Sequence, residues 1–167
     1  MDTASRSAGH GDGGEADRRR HYEDFAPGDA FDLGSLTVSR AEILAFAEEF
    51  DPLPFHLDDA AAAASLLGGL AASGWHTASL MMRLYVDGLL AETASMGGAG
   101  VDRLDWKRPV RPGDVLRGTA RALDKRTSKS RPEMGIIRMA ITLHNADDEV
   151  VLDCTTPLLC AVREPAA

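Results

Sequence analysis

The sequence predicts an α+β fold: a single domain in which a curved antiparallel sheet wraps around one long central helix. Three observations lead there. First, the run Ser73 to Ala91 carries apolar or small residues at Trp75, Ala78, Met82, Val86 and Leu89, which is helical spacing. Leu80, Met81, Leu84, Tyr85 and Leu90 widen that stripe to most of the circumference, as in a helix enclosed by other elements. Second, from Val101 onward the pattern alternates as strands do and contains no further helix. Third, the connections between those strands are short, which predicts an antiparallel meander of four strands without crossovers. One helix on one face of such a sheet is a standard layered arrangement.

Taken in order, residues 1–21 hold almost nothing to bury and are predicted to be a disordered tail. Its run Arg18-Arg19-Arg20-His21 reads as solvated charge. The domain is expected over 22–163, with a short tail at 164–167. Phe31 to Val38 predicts a first strand with an irregularity at Gly34. Ser39, with Glu42 three residues later, predicts a capping box that starts a helix over Arg40 to Phe50. Ile43, Leu44, Phe46, Ala47 and Phe50 form its expected buried side, and Pro52 and Pro54 end it. An alanine-rich segment, 59–66, predicts a short helix before Gly68-Gly69. Residues 92–100 read as a Gly/Ala/Ser connection. Strands follow at Val101 to Val110, Val115 to Lys125, Gly135 to Asn145 and Val150 to Val162. Arg111-Pro112-Gly113-Asp114 has the Pro-Gly centre of a type II turn. Ile137, Met139, Ile141 and Leu143 fall on one face of their strand. A sheet wrapped round a single long helix in this order fits the hot-dog fold best.

Composition narrows the function. At 167 residues, 44% hydrophobic and 26% charged, the chain suits one soluble domain. A net charge of -8 argues against a nucleic-acid partner, so an anionic ligand must be met by a local basic patch. Arg83 and Asp87 interrupt the central apolar run, which argues against a membrane span. Cys154 and Cys160 lie in one predicted strand, about 20 Å apart when extended, too far for a disulfide with each other. Neither has metal-ligand spacing. The absence of an apolar leader and of disulfides fits a cytoplasmic setting.

Two places suggest chemistry. Asp51 and His56 are an acid and an imidazole separated by a segment containing two prolines. On a regular helix, positions five apart point about 140° from each other. The prolines forbid that helix and predict a fixed, extended turn, in which both side chains can face one cleft and share proton transfer. The alternative is that Asp51 caps the next turn and His56 is a half-buried histidine. The second place is the small-residue run Gly68, Gly69, Ala71, Ala72, Ser73, Gly74 at the start of the central helix. It is either a plain tight loop or a site where first-turn N–H groups meet a developing oxyanion. His76 reads as structural, and Trp106 as core or interface.

Three blocks carry a family resemblance: FDPLPFHLD (Phe50 to Asp58), GGLAASGWHTASL (Gly68 to Leu80) and WKRPVRPGD (Trp106 to Asp114). In order and spacing they resemble the MaoC-like dehydratases, which include the (R)-specific enoyl-CoA hydratases. The likeness runs from roughly Phe25 to Arg163. The family's Asp-x-Asn-Pro-x-His motif is matched at Asp51, Pro54 and His56, with Leu53 where Asn is typical and an extra proline at Pro52. The resemblance implies reversible hydration of a trans-2-enoyl-CoA to an (R)-3-hydroxyacyl-CoA, with Asp51 and His56 as the proton-transferring pair. It places the oxyanion-binding glycine at Gly74, preceded here by Ser73 where His is frequent. Substrate contacts are expected at Pro54, Ser73, Trp75, Arg108 and Arg111. No metal and no cofactor beyond the substrate's own CoA is implied, and a homodimer or higher oligomer is. A hot-dog thioesterase, or a non-catalytic acyl-CoA-binding subunit, are the competing readings.

Overall fold

The structure is a computed structural model, and it describes residues 18–163. The expected tail over 1–17 and the residues 164–167 lie outside the described residues. The end of the expected tail is docked, however. Arg20 bridges to Thr93, and its guanidinium lies near the Phe31 ring and pairs with Glu92 at 3.1 Å. His21 is buried.

A short 3-10 turn at Tyr22–Asp24 leads to β1 (Ala30–Thr37). A bulge between Asp32 and Ser35, with Gly34 at φ 80°, is the irregularity the glycine predicts. Helix α1 (Arg40–Phe50) starts on the predicted capping box: Ser39 Oγ accepts the Glu42 N–H, and the Glu42 carboxylate accepts the Ser39 N–H at 2.9 Å. Such a cap contributes about 1 kcal/mol. Ile43 and Ala47 are buried, but Phe50 is 64% exposed, contrary to expectation. It lies on the last turn of α1, where its ring meets that of Phe46 at a tilt, 5.0 Å between centroids.

The proline segment does not stay extended. Pro54 opens a helical turn, α2 (Pro54–Leu57), and α3 (Asp59–Ala63) follows on an Asp58 cap. Proline is well suited to a first helical position: its φ is already helical and its missing N–H is not needed there. Leu53, before the proline, takes the extended backbone that proline imposes on its neighbour.

Helix α4 (Gly74–Gly88) is the central helix, followed by a 3-10 turn at Leu90–Glu92. Its helical period is as predicted, but the phase is not. His76, Thr77, Met81, Leu84 and Tyr85 are buried, whereas Trp75 is 62% and Met82 46% exposed. The sheet covers one face of α4 and leaves the Trp75–Met82 stripe outside. A sequence apolar nearly all round cannot indicate which side the sheet takes.

Strands β2 (Ser95–Gly98) and β3 (Arg103–Trp106) precede three long strands, β4 (Val115–Thr127), β5 (Met134–His144) and β6 (Val150–Ala161). The antiparallel sheet runs β1-β4-β5-β6-β2, with β3 also on β6. Only β4, β5 and β6 form a meander. β2 was expected to be loop, and β3 does not neighbour β4. Instead β2 pairs with Leu158–Cys160 and β3 with Leu152–Thr155, two short strands in series along one edge of β6. Residues 107–114 then cross to the far side of the sheet, so the expected absence of crossovers is corrected here. The turn at their end is as read, with Gly113 at φ 91°. The inner face of β5 is Ile137, Met139, Ile141 and Leu143, all fully buried, as the alternation predicts. Each such side chain stabilises the fold by about 1.5–3 kcal/mol. Cys154 and Cys160 are buried, unpaired thiols on β6.

Candidate active site

The two expected sites converge at the start of α4. Asp51 ends α1 and His56 sits on the single turn of α2, so the chain reversal between two helices, not an extended turn, brings them together. His56 Nε2 lies 3.5 Å from Asp51 Oδ2. His56 is buried, and its Nδ1 is 2.9 Å from the Ala71 carbonyl oxygen. A carbonyl only accepts, so Nδ1 carries a ring proton; in the neutral form of the ring, Nε2 then presents its lone pair toward Asp51. Asp51 is not the cap of α2; that position is Leu53. Ser73 is fully buried and caps α4: its Oγ accepts the Trp75 N–H at 3.2 Å and donates to Asp51 Oδ2 at 2.7 Å.

Gly74 is the first residue of α4, so its N–H has no partner within the helix. It is glycine because of what lies on it. Trp106 donates its indole N–H to the Gly74 carbonyl at 2.7 Å, and a Cβ on Gly74 would sit 2.7 Å from the indole ring. A cleft of about 350 Å³ opens here, walled by His56, Gly74 and Thr77 on one side and by Trp106 to Val110 on the other. The second wall is the start of the crossover, tied down where Ala72 N–H donates to the Val110 carbonyl at 2.8 Å. Trp106 is thus a cleft residue, half-exposed, rather than core. The signal that could have found it is its position directly before a connection that must leave the β6 edge.

The expected substrate contacts divide. Arg108 lines the cleft beside Lys107 and pairs with Glu149 at 2.9 Å. Arg111 does not reach it. Its guanidinium donates to the carbonyls of Gly69 (2.6 Å), Leu70 (3.2 Å) and Leu67, holding the small-residue loop that precedes α4. Loop carbonyls without a helical partner need such a donor. Pro54 is exposed and shapes α2 without lining the cleft. Trp75 points outward and packs edge-on against Trp106, at 5.4 Å. Ser73 lies behind the cleft, against Asp51.

His76 stacks on Phe46 at 4.8 Å with its Nδ1 unpartnered, and burial pulls its pKa below the ordinary histidine range while Glu42 opposes this. The structural role expected for it is what its surroundings fit. Further along the same face of α4, a second, apolar cavity of about 220 Å³ lies among Met81, Tyr85, Leu90, Val101, Ile141 and Cys154. The Tyr85 hydroxyl is buried there without a partner, and burial raises its pKa. Among the described residues no cluster of His, Cys, Asp or Glu is placed to hold a metal ion, and no helix is long and apolar enough to cross a membrane.

Against known proteins, residues 24–142 match the MaoC like domain. The chain belongs to the MaoC-like domain family. A MaoC-like dehydratase from Rhodospirillum rubrum is 46% identical, with a TM-score of 0.82 over 87% of this chain and 99% of that one. An (R)-hydratase from A. caviae involved in PHA biosynthesis shares the fold at 24% identity, TM-score 0.63, over 81% of this chain and 97% of its own. A Mycobacterium tuberculosis protein with a double hotdog fold matches at 20% identity and TM-score 0.75, over 89% of this chain and 46% of that one. This MaoC-like domain therefore has the hot-dog fold, and its family points to a hydratase or dehydratase.

Proposed function

We propose that this MaoC-like domain catalyses reversible addition of water to a trans-2-enoyl-CoA, giving an (R)-3-hydroxyacyl-CoA. The observation that carries this reading is the Asp51–His56 pair, 3.5 Å apart beside the first turn of α4. A carboxyl and a neutral imidazole this close can hold one water between them. His56 Nε2 takes a proton from that water as its oxygen bonds to C3. Asp51, protonated at that moment, gives its proton to C2. Negative charge passes through the enolate to the thioester oxygen, where the Gly74 N–H receives it; one such donor is worth about 10²–10³ in turnover. The proton on His56 then returns to Asp51, and the pair is reset.

The rest of the molecule supports the same substrate. Lys107 and Arg108 line the cleft and supply local positive charge for CoA phosphates on a chain of net charge -8. The apolar cavity further along α4 suits the far end of an acyl chain. The outward stripe of Trp75 and Met82, with the exposed Met96 and Val101, offers apolar surface to a second copy of the chain. The reaction as written uses no metal or redox group.

The test is to incubate the purified protein with trans-2-enoyl-CoAs of increasing length and follow the conjugated-thioester absorbance together with free thiol. Loss of absorbance without thiol release is expected. Thiol release would assign a thioesterase instead, and no change with any substrate would leave the non-catalytic reading standing.

A further inference from the structure

We infer that Ser73 is a positioning residue for Asp51, locking the rotation of its carboxyl beside His56. This rests on the hydratase reading above.

The inference starts from how few options the Ser73 hydroxyl has. The side chain is fully buried. Its oxygen is occupied as an acceptor by the Trp75 N–H at 3.2 Å. Its single proton has one acceptor, Asp51 Oδ2, at 2.7 Å. A serine hydroxyl has one proton to donate, and leaving it unpaired in the interior is unfavourable. Oδ2 can accept the Ser73 bond in either charge state of Asp51, because a carboxyl oxygen keeps a lone pair even when it carries the proton. Oδ2 is also the oxygen that faces His56 Nε2 at 3.5 Å. The carboxyl is therefore locked in rotation, with one oxygen held toward both Ser73 and the imidazole. No other side chain among the described residues bonds Asp51. The Leu53 side chain, two residues on, has no donor to offer, and its backbone N–H goes to the Asp51 carbonyl at 2.7 Å.

The same hydroxyl caps α4, so Ser73 joins the acid to the helix whose first N–H is the oxyanion donor. The carboxyl and Gly74 are held in fixed relation through one side chain. This accounts for a serine directly before the glycine, in a position where a cap alone would tolerate glycine with a loss of only a few tenths of a kcal/mol.

The experiment compares Ser73→Ala, Ser73→Gly and Ser73→Thr, each alone and in an Asp51→Asn background, with turnover, KM and thermal unfolding measured on every protein. Ser73→Ala and Ser73→Gly should both lower kcat about ten- to a hundredfold, the scale of one hydrogen bond to a charged group, with KM within twofold. Ser73→Thr, which keeps the hydroxyl, should recover most of the loss. In the Asp51→Asn background, Ser73→Ala should have no further effect on kcat, because it acts only through the carboxyl. A pure cap predicts otherwise: Ser73→Gly near wild type, and a loss for Ser73→Ala that persists whatever residue 51 is. Either of those results overturns the assignment while leaving the hydratase reading intact. A wild-type protein inert toward the whole enoyl-CoA series overturns both.

Discussion

The two ends of α4 face the same sheet about 21 Å apart and are built on opposite principles. At the N-terminal end, most polar side chains around Gly74 are committed, the buried His76 Nδ1 being an exception. His56 Nδ1 is bonded to Ala71, Ser73 to Asp51, the Trp106 indole to Gly74 and the Arg111 guanidinium to three loop carbonyls. At the C-terminal end, Met81, Leu90, Ile141 and Cys154 enclose an apolar space, and the Tyr85 hydroxyl finds no partner. One helix thus offers a rigid polar site and an adaptable apolar one on a single face. Fixed donors suit charge that develops during a reaction, and methionine-lined apolar space suits chains of varying shape.

If the ends divide the work this way, substitutions at each should move different observables. The largest effect is expected for Gly74→Ala. The new Cβ meets the indole at 2.7 Å, so either Trp106 or the start of α4 must shift. Turnover should fall about 10²- to 10³-fold, while relative preference among acyl chain lengths stays the same. A changed chain-length preference would mean that the two ends are not independent.

The two arginines near the cleft separate support from contact. Arg111→Met leaves three carbonyls short of a donor and should cost about 1–2 kcal/mol in thermal or urea unfolding, with KM altered only slightly. Arg108→Met breaks an exposed pair worth little to stability. It should raise KM for the CoA substrate several-fold at unchanged melting temperature. Reversal of that pattern would place Arg111, not Arg108, against the substrate.

Smaller effects are expected further from the reacting atoms. Tyr85→Phe removes a buried hydroxyl that has no partner, so stability should hold or rise by up to about 1 kcal/mol, with turnover on short substrates unchanged. A clear loss of stability would reveal an acceptor for that hydroxyl. His76 bears on pH. Burial depresses its folded pKa below the unfolded value of about 6.5. In the window below that value the unfolded chain binds more protons, so stability rises with pH there. The contribution is complete above about pH 6.5 and is lost as pH falls through the folded value. His76→Phe should flatten the slope of melting temperature against pH between about 5 and 6.5, and an unchanged slope would show that other groups set it.

Local rules account for what was legible in the sequence. The Ser39–Glu42 box placed the start of α1 to the residue, and strict alternation placed Ile137 to Leu143 on the inner face of β5. Helical spacing likewise found α4. Tertiary context decided what was missed. The phase of α4 depends on which side the sheet covers, and its sequence is apolar on both. Residues 107–110 read as the end of a strand and 111–114 as a hairpin turn, but β3 pairs with β6 and not with β4, so the chain between them must cross. That crossing builds the second wall of the cleft and brings Trp106 onto Gly74, a contact no local pattern encodes. Asp51 and His56 were found as a pair. The reason they meet, a helical turn started by Pro54, was not, because the prolines were read only as helix breakers. Arg111 has the composition of a phosphate contact, and only the fold reveals the carbonyls that occupy it.

The most direct test of the central claim is a double-mutant cycle on the pair: Asp51→Asn, His56→Gln and both together, with enoyl-CoA hydration and thermal unfolding measured on each protein. Each single change removes one proton-transfer group and should cut turnover by about 10²- to 10⁴-fold at little cost in melting temperature. Because the two act on one water, the double mutant should be little worse than the poorer single mutant. Single mutants within a few-fold of wild type on a substrate the enzyme clearly turns over, or losses that multiply in full, would contradict the account.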